Sequence, residues 1–324
     1  MNKLRLFEAF AGYGSQALAL GEVTDFITVG ISELESNDIA IKTYKALHGQ
    51  VNNFGDITKI DPNILPDMDI FTYSFPCQDL SKNGSMKGFD GERSSLLYEC
   101  EKIIKTKKPK YLLMENVATL VSKRFIKDFN KWLDLLSSYG YNTSWIKSKA
   151  LSYGVPQNRE RVFAVSFLND NLDLKVPNIQ YPNVFDYIKD IKFRKKFQSP
   201  LIYQKDGEWR VKEAVKCGYS VINNLDIINY AFPTSETRRG RVGRGYAQTL
   251  LTSNTQGIFS NGYIYDLTGY HALRLMGLNK EELTKIHSLG LTDKELHFLA
   301  GNSIVKDVLV DIFRQIVNHH NKVD

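Results

Sequence analysis

Cys77 follows Ser74-Phe75-Pro76 and precedes Gln78, directly after Met68-Asp69-Ile70-Phe71-Thr72-Tyr73, a short run rich in β-branched and aromatic residues. Bounded by Pro66 and Pro76, such a run reads as a covered β-strand. The thiol then stands at a strand's carboxyl end, the edge of an open α/β sheet where ligands bind. A thiol there can act as a nucleophile once it loses its proton. The alternative is an inert buried cysteine, since free Cys packs as a small hydrophobe. The polar Gln78-Asp79 and the mixed charges of residues 80–93, with Gly84, Gly88 and Gly91, suit a mobile loop better than a packed core. Glu115 repeats the placement. Tyr111-Leu112-Leu113-Met114 is a second short strand closed by Glu115-Asn116-Val117, which makes Glu115 a candidate acid or simply a loop acid ahead of a helix. Arg159 and Arg161, spaced by two ahead of a strand over 162–167, are expected to point the same way and could hold a polar substrate.

The elements that must position these groups are legible as strands alternating with helices. Residues 4–7 read as a strand leading into Phe10-Ala11-Gly12-Tyr13-Gly14-Ser15-Gln16-Ala17 and a helix, the context in which Gly12-x-Gly14-x-x-Ala17 can bring backbone N–H groups to a ligand. A second strand, 26–32, ends in Glu33. That carboxylate lies about twenty residues past the glycines, where it could accept from ribose hydroxyls or merely start a helix. Gly55-Asp56-Ile57 reads as a short strand ending whose Asp56 could reach an adenine amino group or form a turn. Helices are expected over 35–47, 94–105 and 123–138, with Cys100 on the buried side of the second. To this point a nicotinamide dehydrogenase fits the glycines and Glu33 but leaves Cys77, Glu115 and Arg161 idle.

The length of 324 residues suits two domains, or one with an insertion. No stretch approaches the roughly 18 apolar residues of a membrane span, and Met1-Asn2-Lys3 runs into a strand without a signal-peptide pattern, so a cytoplasmic protein is expected. The three cysteines, Cys77, Cys100 and Cys217, lack any Cys/His pairing, which argues against a disulfide framework and against a metal site. A net charge of +6 is compatible with a polyanionic partner.

The series Phe10-Ala11-Gly12-x-Gly14, Phe75-Pro76-Cys77-Gln78, Glu115-Asn116-Val117, Gln157-x-Arg159-x-Arg161 and Gly301-Asn302-Ser303, in this order, resembles the DNA (cytosine-5) methyltransferases. The resemblance implies a Rossmann-like, mostly parallel sheet of the S-adenosylmethionine-dependent methyltransferase fold, with a smaller β-rich target-recognition domain. It implies methyl transfer from S-adenosylmethionine to C5 of a flipped-out cytosine in double-stranded DNA, through a covalent bond between Cys77 and C6. Glu115 would hold and protonate N3, Arg161 and Arg159 would bind O2, and the Phe75 carbonyl, ahead of Pro76, would accept from the exocyclic amine. For the cofactor, Phe10 would pack on the adenine and Gly12 and Gly14 would lie under the methionine part. Glu33 would take the ribose and Asp56 the adenine amine, while Leu96, Asn302 and Ser303 would line the remaining wall. Leu34 stands where the family commonly has a large aromatic, and Ser15 where a third glycine is frequent. A cognate restriction endonuclease and a monomeric state belong to the same expectation. A tRNA cytosine methyltransferase would share these blocks, but its Cys-Phe-Thr signature is missing, since Cys217 is followed by Gly218-Tyr219.

The division this implies is a catalytic, cofactor-binding domain of residues 1–183 and 300–324, a target-recognition domain of 184–266, and a connecting hinge of 267–299 with helices expected over 270–278 and 292–298. Short alternating runs such as Glu208-Trp209-Arg210-Val211-Lys212 support β structure in the middle part. Arg238-Arg239-Gly240-Arg241-Val242-Gly243-Arg244-Gly245 is its densest charge, suited to phosphate clamping and base-edge readout by Arg238, Arg239 and Arg241, with Arg244 also on the DNA or stiffening the domain. The apolar periodicity of 304–317 predicts a closing helix on the sheet, and His319-His320 reads as its frayed end.

Overall fold

The computed structural model describes residues 3–76 and 95–323. The chain divides into two compact units, one of Met1–Ser148, Glu160–Pro177 and Lys306–Asp324, the other of Lys149–Arg159 and Asn178–Val305. In chain order the first strands and helices are β1 (Leu4–Ala9), α1 (Ser15–Gly21), β2 (Phe26–Ser32), α2 (Asp38–His48), β3 (Ile70–Tyr73), α3 (Ser95–Lys107), β4 (Tyr111–Val117), α4 (Ile126–Ser138) and β5 (Tyr141–Lys149). They are followed by β6 (Gln157–Asn158), which belongs to the second unit, and β7 (Glu160–Leu168).

The first unit holds a six-stranded sheet in the order β2-β1-β3-β4-β7-β5. β1 pairs in parallel with β2 and β3, and β3 with β4, whereas β7 runs antiparallel to β4. β3 is buried at every position and β4 at all but its last, as expected of strands covered on both faces. Phe7, Phe71, Leu112, Met114, Trp132 and the fully buried Cys100 share one core cluster.

In the second unit come α5 (Val184–Ile188), β8 (Lys196–Phe197), β9 (Ile202–Lys205), β10 (Glu208–Lys212), β11 (Tyr219–Val221), β12 (Ile227–Asn229), β13 (Val242–Gly243), β14 (Ala247–Gln248), β15 (Gln256–Ser260) and β16 (Tyr263–Asp266). They form small sheets ordered β11-β10-β9, β13-β12-β15-β16-β8 and β14-β6. Three helices follow, α6 (Gly269–Arg274), α7 (Lys280–His287) and α8 (Asp293–Gly301), each started by a reciprocal capping box: Thr268 with His271, Asn279 with Glu282, Thr292 with Glu295. α7 is an addition to the helices expected from the sequence. The last helix, α9 (Lys306–Val323), lies in the first unit.

The fold class is the one expected, a Rossmann-like, mostly parallel sheet with a smaller β-rich unit. Two local readings are corrected. Residues 55–57 do not end a strand: Asp56 instead caps a 3-10 turn, Ile57–Lys59, accepting from the Thr58 N–H at 3.0 Å. His319 and His320 are not frayed. His320 Nδ1 meets the Tyr111 hydroxyl at 2.9 Å, and the His319 ring lies 5.1 Å from that of Phe167 while its Nε2 meets the Asn171 carbonyl. These partners on and beside the sheet hold the last turns of α9. Among the described residues no helix is long and apolar enough to cross a membrane, and no group of His, Cys, Asp and Glu could hold a metal ion.

Candidate active site

β1 and β2 end side by side, and the turn after β1 is built for close approach. Phe10 adopts a left-handed φ of 56° that a non-glycine residue rarely takes, and its N–H donates to the Ser32 carbonyl at 2.8 Å. Gly12 follows at φ 57°, with nothing within 4 Å of where its Cβ would stand. Gly14, at φ 82°, has no such room: a Cβ would collide with His48 and Tyr44. The Gly12 N–H donates to Glu33 Oε2 at 2.8 Å, so the turn and the carboxylate at the end of β2 form one constellation.

Two residues not singled out in the sequence hold Glu33. Asn53 accepts from the Glu33 N–H at 3.0 Å and donates to its carbonyl at 3.0 Å, and Asn37 donates to Oε1 at 3.1 Å. In the sequence they are only turn-forming asparagines, with no signal of a role. Asp56 keeps its carboxyl below the usual range through the Thr58 N–H and hydroxyl. Leu34 is exposed, and Leu96 packs partly buried against the core.

Underneath the turn lies a fully buried Glu8 on β1. Burial pushes its carboxyl up to about 7, against the opposing pull of the Tyr44 hydroxyl at 2.6 Å and the Ala17 N–H at 3.2 Å. Ala17 is in the first turn of α1, whose cap residue Gly14 makes no side-chain bond, so Glu8 supplies the acceptor the cap lacks.

The second cluster gathers where β3 and β4 end and the antiparallel β7 begins. Register pairs Val117 of β4 with Arg161 of β7, and Glu115 shares a face with Val117, so Arg161 and Glu115 are diagonal neighbours. Arg161 Nε lies 3.1 Å from Glu115 Oε1, both side chains largely withdrawn from solvent. The Asn116 amide donates to the buried Phe75's carbonyl at 3.2 Å, tying β4 to the residues just past β3. Gln16 of α1 reaches the Ser74 hydroxyl at 3.4 Å. Pro76 is exposed. Cys77, with the glycine-rich stretch after it, lies outside the described residues.

The remaining candidates fall in the second unit. Arg159 does not share the face of Arg161. The chain breaks between β6 and β7 at this residue, and its buried guanidinium donates to the carbonyls of Leu250 at 3.2 Å, Gly301 at 3.1 Å and Ser303 at 2.6 Å. Its expected contact with a substrate oxygen is therefore replaced by a structural pin. Asn302 is the exposed cap of α8, and Ser303 is buried beside it. Of the four arginines expected on DNA, Arg241 is corrected: only 1% exposed, it donates to the carbonyls of Asn229, Ala231 and Phe232. Burial and the neighbouring Arg238 lower its pKa. Arg239 and Arg244 are exposed and Arg238 half-buried; Arg244 lies 3.5 Å from Asp226.

A glycine turn facing a strand-end carboxylate, and a carboxylate paired with arginine at the neighbouring strand ends, can hold a polar cofactor and protonate a ring nitrogen. The family model of the C-5 cytosine-specific DNA methylases matches residues 4–318. The chain is 42% identical over 234 residues to the type II methyltransferase M2.ScrFI of Lactococcus lactis subsp. cremoris, covering 55% of this chain and 64% of that protein. It is 27% identical to the orphan methyltransferase M.SssI of Spiroplasma monobiae, over 97% of each. The chain thus spans between about half and just under two thirds of the length of the first curated relatives it matches, and nearly all of others. The fold is similar to that of the S. pombe Dnmt2 methyltransferase, with a TM-score of 0.61 at 18% identity, covering 98% of this chain and 100% of that one. With a match that runs through both units and through every block that carries the chemistry, the chain belongs to the C-5 cytosine-specific DNA methylase family.

Proposed function

We propose that the protein methylates C5 of a flipped-out cytosine at a specific site in double-stranded DNA, using S-adenosylmethionine and a covalent bond between Cys77 and C6. The observation that carries this reading is the Glu115–Arg161 pair, at the carboxyl end of β4 and the amino end of the antiparallel β7, joined through Asn116 to Phe75, two residues ahead of Cys77. S-adenosylmethionine, when bound, supplies an electrophilic methyl group. The first unit fits it: the clear space at Gly12 admits a ligand against the turn, Glu33 offers carboxylate oxygens to ribose hydroxyls, Asp56 has an acceptor for an adenine amine, and Phe10 and Leu96 provide apolar contact. Gly14, packed on Tyr44 and His48, shapes the turn, while Asn302 and Ser303 complete the proposed set.

In the reaction the Cys77 thiolate adds to C6 while Glu115 gives a proton to N3, so charge that would build on the ring is neutralised and C5 becomes the nucleophile. Arg161 steadies Glu115 and donates to O2, and the Phe75 carbonyl, kept in place by Asn116, accepts from the exocyclic amine. Once C5 carries its methyl, a water molecule takes the C5 proton, the electrons of that bond re-form the C5–C6 double bond and expel the thiolate, and N3 gives its proton back to Glu115. Residues 184–266 would read the DNA as the target-recognition domain, residues 267–299 connecting it to the catalytic part. The enzyme would act as a cytoplasmic monomer, with a cognate restriction endonuclease as its cellular partner.

Cys77→Ser tests the covalent step, because a serine hydroxyl is a far poorer nucleophile at neutral pH. Labelled-methyl transfer should be lost while DNA binding is kept, and duplex DNA carrying 5-fluorocytosine should trap a denaturation-resistant adduct on the wild type only. Transfer by the variant within about tenfold of wild type, a barrier change of about 1.4 kcal/mol, would sink the mechanism.

A further inference from the structure

Between β12 and β13 the second unit carries a loop, residues 230–240, that presents one exposed aromatic on a left-handed backbone. Phe232 is 68% exposed, the largest exposure among the large hydrophobic side chains of the described residues, and it sits at φ 53°. A lone exposed aromatic needs no explanation in itself. A left-handed aromatic persists only when its surroundings force it, and here they do. The buried Arg241 donates to the carbonyls of Ala231 at 2.8 Å and Phe232 at 2.9 Å and, from the base of the loop, Asn229 at 3.3 Å. Its own N–H is held by Glu213 Oε1 at 2.8 Å, and the Arg238 carbonyl by the Ala214 N–H at 3.0 Å. Burying a guanidinium is costly unless its donors are used, and this one directs both terminal nitrogens at the backbone of one loop. Above the pin, the Arg238 guanidinium lies over the Phe232 ring at 5.5 Å, and Arg239 is exposed beside it.

We propose that Phe232 is a DNA-contacting residue whose ring packs against a base face at the recognised site, with Arg238 on an adjacent phosphate and Arg241 as the positioning residue for both. The inference rests on the DNA methylation proposed above. The cation covers one face of the ring and leaves the other for a flat apolar partner, and in a duplex the flat apolar surfaces are the faces of bases, reached where a step is partly unstacked. The two arginines near the end of the loop, Arg238 and Arg239, match the polyanion that would bring such a step close. A rigid loop holds the ring out before binding, so little order has to be gained on contact.

The test uses the full chain and the duplex site that wild-type methylation, read by sequencing, identifies. Phe232→Ala should weaken binding to that duplex about fivefold to a hundredfold, with an unchanged slope of log Kd against log salt and an unchanged melting temperature. Phe232→Trp should bind within a few-fold of wild type, since a larger ring stacks at least as well. Arg238→Ala should lower the salt slope by about one. Wild-type binding by Phe232→Ala, an equal loss in Phe232→Trp, or a fall in the melting temperature of Phe232→Ala would each overturn the assignment. Failure of the wild type to methylate any DNA would instead overturn the activity on which it rests.

Discussion

At the scale of single residues, the site separates groups that have identical chemistry in the sequence. Arg159 and Arg161 stand two positions apart, yet Arg161 meets Glu115 and Arg159 holds three backbone carbonyls. Their substitutions should therefore fail in different ways. Glu115→Gln keeps the shape and a hydrogen bond but cannot deliver a proton, so single-turnover methyl transfer should fall by about 10²- to 10⁴-fold with the melting temperature unchanged. Arg159→Ala removes charge-assisted bonds from buried carbonyls and should lower stability by roughly 3 kcal/mol or more in a urea titration. If Arg159→Ala were fully stable, the pin would not carry weight. If Glu115→Gln turned over like wild type, the acid would have to be another group.

At the scale of elements, the β1–α1 turn is supported from below by Glu8, bonded to Tyr44 of α2 and to the first turn of α1. Its carboxyl titrates near 4.5 unfolded and about 7 folded, chiefly because of burial. A carboxyl raised in this way binds its proton more tightly in the folded state. Its stabilising contribution is full below about pH 4.5 and is lost as pH rises to about 7, a change of roughly 3 kcal/mol. Glu8→Gln should abolish that slope, so its stability relative to wild type should rise between pH 4.5 and 7.5 in urea titrations. His271, pushed down to about 4 mainly by burial, gives the opposite slope below pH 6.5 and cancels in this difference. A flat difference across the window would mean that Glu8 is ionised in the fold throughout.

At the scale of the whole molecule, both ends of the chain and one inner segment build the first unit, and the chain passes between units within the Gln157-x-Arg159-x-Arg161 motif itself. A ligand bound only by the folded cofactor site should stabilise the molecule as a whole. S-adenosylmethionine at about a hundred times its Kd should add about 2.7 kcal/mol, read as a higher melting temperature, while NAD should add nothing. Glu33→Ala should reduce that shift. A shift with NAD and none with the methyl donor would return the glycine turn to a dehydrogenase reading.

The sequence by itself determined the alternation of strands and helices along the first half of the chain and the strand-end placement of Glu33 and Glu115. Covered strands are continuous apolar runs, and their ends are marked locally by the first polar residue, glycine or proline. It also contained the Asn279–Glu282 box that starts α7, a local signal. Tertiary structure alone decided which arginines face outward. Arg159 is fixed by carbonyls 91, 142 and 144 positions away, so no window of sequence holds its partners. Arg241 looks like its neighbours in a basic run, but β12 and the loop after it fold their carbonyls around its guanidinium and leave Phe232, Arg238 and Arg239 on the surface side of the pin. Local chemistry makes an arginine a donor, and only the path of the distant chain supplies the acceptors that decide whether its charge is buried or presented.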